Sequence, residues 1–350
     1  MQLKIDSKNI QSDFLPSPFS DHLPRHYLCP WTDTEIQIDG ALTDPAWETT
    51  VWSEPFVDIE GDRKPLPKYP TKMKMLWNQN YLYIAAELTE PDLWATITKH
   101  DEVIFRDNDF EVFIDPDGDN FDYPELELNA LNTTWDLLLP RPYKDGGQAN
   151  NAFDIKGLKT AVKLNGTLNN PIDRDKSWTV EIAWPWSAFK QLTKVSLPPR
   201  EQDLWRMNFS RVEWKLTVEN NIYKKMPNLP ESNWIWSPQG VIDMHRPEHW
   251  GYVEFTKKPI SERAIHLDPY SRAKLFLHRV YYAQKKYYSQ FHHFATSLGQ
   301  LNIVLPAHAN FFLSRFEASE SQFRVEISCY HLHSWKHIQI DQQSHIVLAD

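Results

Sequence analysis

Cysteine is scarce in this 350-residue chain: Cys29 and Cys329 are the only two. They cannot form a disulfide framework, and no CxxC pair offers a thiolate metal site. A single bridge between them is the most they allow. No uninterrupted apolar run reaches the ~18 residues of a membrane-spanning helix. The first 30 residues also lack the apolar stretch of a secretory signal. The chain is therefore expected to be either cytosolic or a mature form whose signal was removed, and in the second case extracellular or periplasmic. Positive charge is short as well, with 37 Lys and Arg against 47 Asp and Glu, a formal net charge of −10. Without a local basic stripe such a chain repels a phosphate backbone, so neither nucleic acid nor an anionic membrane is an expected partner. Helical periodicity is almost absent before residue 260, and there is no internal repeat or low-complexity tract. GxSxG, HExxH, P-loop and GxGxxG signatures are missing in any proper context.

Hydrophobic residues make up 41% and charged residues 24%, the balance of an ordinary globular protein able to bury a core. Length suggests about two domains. Residues 1–30 scatter Pro16, Pro18, Pro24 and Pro30 among polar residues and read as an extended lead-in. Residues 31–257 read as strands at short spacing. TKMKMLW and YLYIAAEL, joined by Asn78-Gln79-Asn80, form a hairpin pattern. DFEVFID puts Asp109, Glu111 and Phe113 on one face and Phe110, Val112 and Ile114 on the other. ELELNAL repeats the pattern with Glu125, Glu127 and Asn129 opposite Leu126, Leu128 and Ala130. In ALTDPAW, Asp44 and Pro45 read as cap and first residue of a helical turn that docks Trp47. The expected fold is a mainly β, antiparallel, jelly-roll-like β-sandwich. Residues 258–350 change character: a helix of about 30 residues from Asp268-Pro269 to Gly299, then three strands, read as a small α+β extension. It is expected to pack on the sandwich or to mediate oligomerisation.

Fourteen of the 15 tryptophans precede residue 258. Most should be core, since a sandwich of this size buries several large aromatics. Trp47, Trp77 and Trp178 read as structural. Trp94, Trp135, Trp214, Trp234 and Trp236 sit near loops or on polar-flanked segments and are the candidates to face a ligand. The loop Asp115-Pro-Asp-Gly-Asp-Asn120 offers Asp117, Asp119 and Asn120 around a glycine, an oxygen-rich pattern that suits calcium but lacks the distal Glu of an EF-hand. An acidic strand-connecting turn looks the same. His331 and His333, with His337, resemble a metal pair without a cysteine or carboxylate at fixed spacing.

Several segments together resemble the carbohydrate-binding module family 9 and its family 9-like relatives. They are IDGALTDPAW, MLWNQNYLYIAAEL, NDFEVFIDPDGDN, YPELELNALNTTWDLLL, GLKTAVKLNGTLNN, SWTVEIAWPW and WGYVEF, in the family's order. The resemblance implies a β-sandwich, structural calcium in some members, and recognition of glucose- or xylose-type sugars, often at chain ends. Glu111 matches a family carboxylate that accepts sugar hydroxyls. A family arginine position falls on Glu127, and the paired tryptophans that clamp a pyranose fall near Phe105 and Met244. The expected function is non-catalytic binding of a polysaccharide, oligosaccharide or sugar chain end through an acidic and aromatic concave sheet face. In that reading Glu111, Glu127, Asn129, Asn208 and Arg211 bond hydroxyls while Trp135, Trp214 or Trp236 stacks on the ring. Asp115, Asp117, Asp119 and Asn120 form the candidate calcium site. A glycoside hydrolase with paired carboxylates, or a haem-binding electron-transfer subunit using Met244 and His245, are the alternatives.

Overall fold

In a computed structural model of the chain, residues 24–258, 268–306 and 309–349 are described; Pro16 and Pro18 of the lead-in lie outside them. In chain order the strands are β1 (His26–Pro30), β2 (Val57–Asp58), β3 (Thr71–Trp77), β4 (Tyr81–Thr89), β5 (Asp109–Asp115), β6 (Tyr123–Asn129) and β7 (Thr134–Leu139). β8 (Lys159–Asn165), β9 (Ser177–Pro185), β10 (Leu204–Glu213), β11 (Leu216–Glu219), β12 (Ile222–Lys225), β13 (Ser232–Ile235) and β14 (Gly251–Thr256) follow. The chain then forms α1 (Ser271–Phe291), β15 (Phe311–Ala318), β16 (Phe323–His331), β17 (Ser334–Asp341) and β18 (Ile346–Ala349).

One sheet of eight strands runs β1-β14-β10-β5-β6-β7, with β13 beside β10 and β2 beside β13; the facing sheet is β3-β4-β9-β8. Their inner faces meet in a core that includes Phe110, Val112 and Ile114 of β5, Ile84 and Ala86 of β4 and Trp178, Val180 and Ile182 of β9. Strict alternation along each strand places these residues inward. Pairing within both sheets is antiparallel except at one edge, where β1 runs parallel to β14. The lead-in thus contributes a sheet strand, because buried Tyr27 and Cys29 alternate along it. Trp47, Trp77, Trp178, Trp184, Trp205, Trp236 and Trp250 are fully buried. At roughly 25 cal/mol per Å², each such ring contributes about 4–6 kcal/mol as an upper bound. The helical turn at Pro45–Thr49 is a 3-10 helix whose Asp44 side chain makes no capping bond, although Trp47 docks as expected.

The C-terminal unit has its own core, formed by α1 against the sheet β15-β16-β17-β18. The helix is shorter than its spacing predicts: His292 takes a left-handed conformation that ends it. Phe294 then reaches the core from the following loop. A fourth strand, β18, follows the three expected. Cys29 and Cys329 are free and belong to different cores, so no bridge joins them. His333 stands in the turn between β16 and β17 with positive φ, and His337 bonds Ser328, so the histidines do not converge. No helix among the described residues is long and apolar enough to cross a membrane.

The C-terminal unit meets the sandwich through a buried polar seam. Lys144 pairs with Glu248 at 2.7 Å, and Tyr282 on α1 donates to the same carboxylate. Asp145 accepts from Tyr281 and Ser344 and pairs with Lys285. Burial pushes Glu248 up, but Lys144, His249 and His278 outweigh it and hold the carboxyl below its ordinary value. Burial lowers His249 to about 4 and His278 to about 3, against the pull of Glu248 and with Lys144 and Arg206 reinforcing it. Both imidazoles therefore stay neutral in the folded state at a pH where the released chain would take up protons. The stability they confer is present above about pH 6.5 and is lost as pH falls toward 4. Glu248, with its depressed pKa, acts with the same sign at lower pH. Hydrogen exchange should show the α1 amides losing protection between pH 6.5 and 4. The slope should flatten in a His249→Gln/His278→Gln variant; an unchanged slope would refute the assignment.

Candidate functional site

β5 and β6 pair with Asp109 opposite Asn129, Glu111 opposite Glu127 and Phe113 opposite Glu125. β10 adds Asn208 opposite Phe113 and Ser210 opposite Glu111, and β7 adds Trp135 opposite Glu127. The outer face of the large sheet therefore collects four carboxylates in adjacent rows. Alternation predicts an exposed or concave acidic surface; instead Asp109, Glu111, Glu125 and Glu127 are all buried. A second apolar cluster explains this, with Ile104, Phe113, Tyr123, Trp135, Leu137 and Trp250 lying on the same outer face, supported by Ile97, Val103 and Met244. The segment around residues 97–107 is drawn over the strands by Asp107, which accepts from Thr96 N, Ile97 N and Asn129.

Electrostatics follow from that covering. Desolvation raises Glu111 to about 7, opposed by Ser210 and reinforced by Glu231. Desolvation, then Glu111, pushes Asp109 and Glu125 up, and Glu127 is raised by desolvation, Glu111 and Glu125. Glu127 Oε2 accepts from Phe105 N at 2.9 Å, and Asp109 Oδ1 from Val212 N at 3.0 Å. Asp109 Oδ2, Glu111 Oε2 and Trp135 Nε1 are buried without hydrogen-bond partners. The nearest basic group to Glu125 is His245, 3.9 Å away, whose own pKa burial lowers to about 4.

Aromatic rings stand on both sides of the carboxylates. Phe105, 38% exposed, flanks Glu127, and its carbonyl accepts from Trp214 Nε1 at 2.8 Å. Tyr143, 46% exposed, packs 4.5 Å from His245 beside Glu125. Tyr143 itself is raised to about 12 by desolvation and by Glu125 and Glu127. Phe105 and Met244 thus both border this face.

Other sequence candidates are committed elsewhere. Arg211 is one residue out of phase with Ser210 and points into the sandwich. There it pairs with Glu90 at 2.7 Å and Glu213 at 2.8 Å and stacks on Trp234. Asn208 is tied at both ends of its amide to Ser237. Asn129 gives its amide hydrogens to Ile97 O and Asp107 and its oxygen to Leu131 N and Thr133 N. Trp236, 1% exposed, packs on Phe209 and Tyr27 in the main core; a Cβ at Gly251 would come 2.2 Å from its ring. Trp94 and Trp234 are buried too. Trp214 is half-buried with Lys225 3.6 Å over one face. His245 packs against the rings of Phe113, Tyr123 and Tyr143, and Met244 joins the outer apolar cluster, so the fold uses both. Asp109 and Glu125 were legible from alternation, whereas Tyr143 sits in a loop with no pattern to mark it.

The acidic loop behaves differently. Asp115, Asp117 and Asp119 each bring an oxygen within 4.8 Å of the others, and buried Asp117 Oδ1 has no partner. Asn120 instead turns its amide to Ser344 O at 2.8 Å.

Residues 38–198 match the model of the family described as carbohydrate family 9 binding domain-like. This segment is similar to that family. It holds all four carboxylates of the outer face and the acidic loop; Asn208, Arg211, Trp214 and Trp236 lie beyond the match. Among solved structures, a Bacteroides uniformis ATCC 8492 protein proposed to bind carbohydrate is 17% identical, covering 66% of this chain and 99% of its own, with a TM-score of 0.48. A family 9 carbohydrate-binding module from Caldicellulosiruptor kristjanssonii, solved with cellotriose and with glucose, is 16% identical over 70% of this chain and 100% of its own, with a TM-score of 0.44. No curated protein sequence matches.

Core and rim of the sandwich should respond unequally to truncation. Trp236→Ala should cost about 3–5 kcal/mol in urea unfolding, and Phe105→Ala less than about 1 kcal/mol. Equal losses would show that Phe105 is a core residue.

Proposed function

We propose that the protein binds carbohydrate without catalysis, through the outer face of β5, β6 and β7 between Phe105 and Tyr143. The observation that carries this reading is the combination of unpartnered buried acceptors, Asp109 Oδ2 and Glu111 Oε2, with exposed rings on either side. Sugar hydroxyls are donors that such oxygens lack, and ring C–H faces stack on aromatic rims. The family match over residues 38–198 supports the class of ligand. Calorimetry against gluco- and xylo-oligosaccharides, including reducing and non-reducing ends, tests it. Glu111→Gln and Phe105→Ala should each weaken binding at least tenfold, with no product released by the parent protein. Silence across a broad glycan panel would sink the reading, and product release abolished by Glu111→Gln would replace it with hydrolysis.

Calcium at the acidic loop is the second part of the proposal, held by Asp115, Asp117 and Asp119, with Asn120 serving the seam to the C-terminal unit. An all-oxygen donor set suits calcium, and the orphaned Asp117 Oδ1 is the oxygen that a cation would satisfy. Chelation should lower the unfolding midpoint of the parent protein by several degrees and leave Asp117→Asn little affected. Identical responses of the two would discount the site.

A further inference from the structure

Asp109, Glu111 and Glu127 form a second oxygen cluster, separate from the acidic loop. One carboxylate oxygen from each lies within 4.8 Å of the others. Backbone register makes this arrangement obligatory: Glu111 and Glu127 are directly opposite, and Asp109 is two residues from Glu111 on the same face. Elsewhere the fold supplies its buried carboxylates with donors. Glu181 accepts from Trp47 Nε1, Asp39 N and Gly40 N, and Asp175 from Leu93 N and Thr167 N. Here the supply is limited to Val212 N, Phe105 N and the Ser210 hydroxyl. No Lys or Arg among the described residues forms an ion pair with the three; Arg211, the nearest buried guanidinium along β10, serves Glu90 and Glu213 on the opposite face.

An independent signal comes from β7. Trp135 is 9% exposed and stands directly opposite Glu127, yet its indole Nε1 donates to nothing. Ser210, fully buried opposite Glu111, gives its hydroxyl to that carboxylate and opposes the rise in its pKa. Asp109 Oδ2 and Glu111 Oε2 lack donors and Trp135 Nε1 lacks an acceptor on this one face.

We propose that Asp109, Glu111 and Glu127 bind a hard divalent cation that in turn coordinates a hydroxyl of the carbohydrate. Three carboxylates and a nearby hydroxyl are the donors of calcium, magnesium or manganese. Oxygens on opposite sides of a calcium ion stand about 4.6–5.2 Å apart, which accommodates the observed spread. A hydroxyl oxygen has two lone pairs and one proton. One pair goes to the cation, the other accepts from Trp135 Nε1, and the proton goes to a carboxylate oxygen such as Glu111 Oε2. The cation also repays the desolvation of closely spaced like charges. The bridging half of this inference rests on the carbohydrate reading; the cation half does not.

The full chain, stripped with chelator and desalted, should be titrated with Mn²⁺ by electron paramagnetic resonance and with Ca²⁺ by calorimetry. Asp109→Asn and Glu127→Gln keep the oxygen that accepts from Val212 N or Phe105 N, so both should fold with a cooperative unfolding transition; Glu111→Gln is the second check. Each should weaken one class of cation site at least tenfold, while Asp117→Asn leaves that class intact. Oligosaccharide affinity of the parent protein should drop at least tenfold on chelation and return with the cation. Absence of cation binding, or binding that the triad variants do not alter, overturns the inference. Sugar binding unchanged by chelation overturns the bridging role. Triad-dependent cation binding without sugar binding upholds the metal site and counts against the carbohydrate reading alone.

Discussion

β5 and β6 are covered on both faces, and the chemistry of the sandwich depends on that constraint. Phe110, Val112 and Ile114 fill the core on one side, while Phe113 and Trp135 join an apolar layer on the other. Residues that alternate outward along such strands enter a space with little water, where an ionised carboxylate needs donors or a counter-charge. Asp109, Glu111, Glu125 and Glu127 enter that space together, and burial, reinforced by neighbouring carboxylates, raises their pKa values.

The surrounding polar groups show how the fold treats carboxylates that serve architecture. Asp107, Asp175 and Glu181 each receive two or more N–H groups and pin a loop to a strand. Arg211 is handled in the same way, with every nitrogen of its guanidinium engaged by Glu90, Glu213, Thr71 or Thr89. Against these, the incomplete partners of Asp109 and Glu111 stand out as a departure of the kind found where a protein binds something.

The C-terminal unit touches the acidic loop as well as the seam at Asp145 and Glu248. Ile346 N donates to Asp119 O at 3.1 Å, His345 lies 3.3 Å from Asp119, and Asn120 bonds Ser344 O. The loop is therefore tied to the turn before β18 as well as to Thr193, whose hydroxyl donates to Asp117 Oδ2 at 2.6 Å. Hydrogen bonding to Asp119 raises His345 despite its partial burial, the opposite of the buried His249 and His278.

Sequence alone determined the sandwich, the strand phases and the row of carboxylates, because period-two alternation fixes which side chains share a face. The family motifs and the buried roles of Trp47, Trp77 and Trp178 were also legible there. Alternation in DFEVFID and ELELNAL could not reveal that a second apolar layer closes over Glu111 and Glu127. Nor could it reveal that β10 presents Ser210 to that face and turns Arg211 away, since the phase between distant strands is set by pairing register. Trp236 and Asn129 looked available because their partners, Gly251 and Asp107, are remote in sequence or hidden by the loop path. Tertiary structure alone decided which polar atoms were left without partners, since hydrogen-bond satisfaction depends on donors brought in from the whole chain.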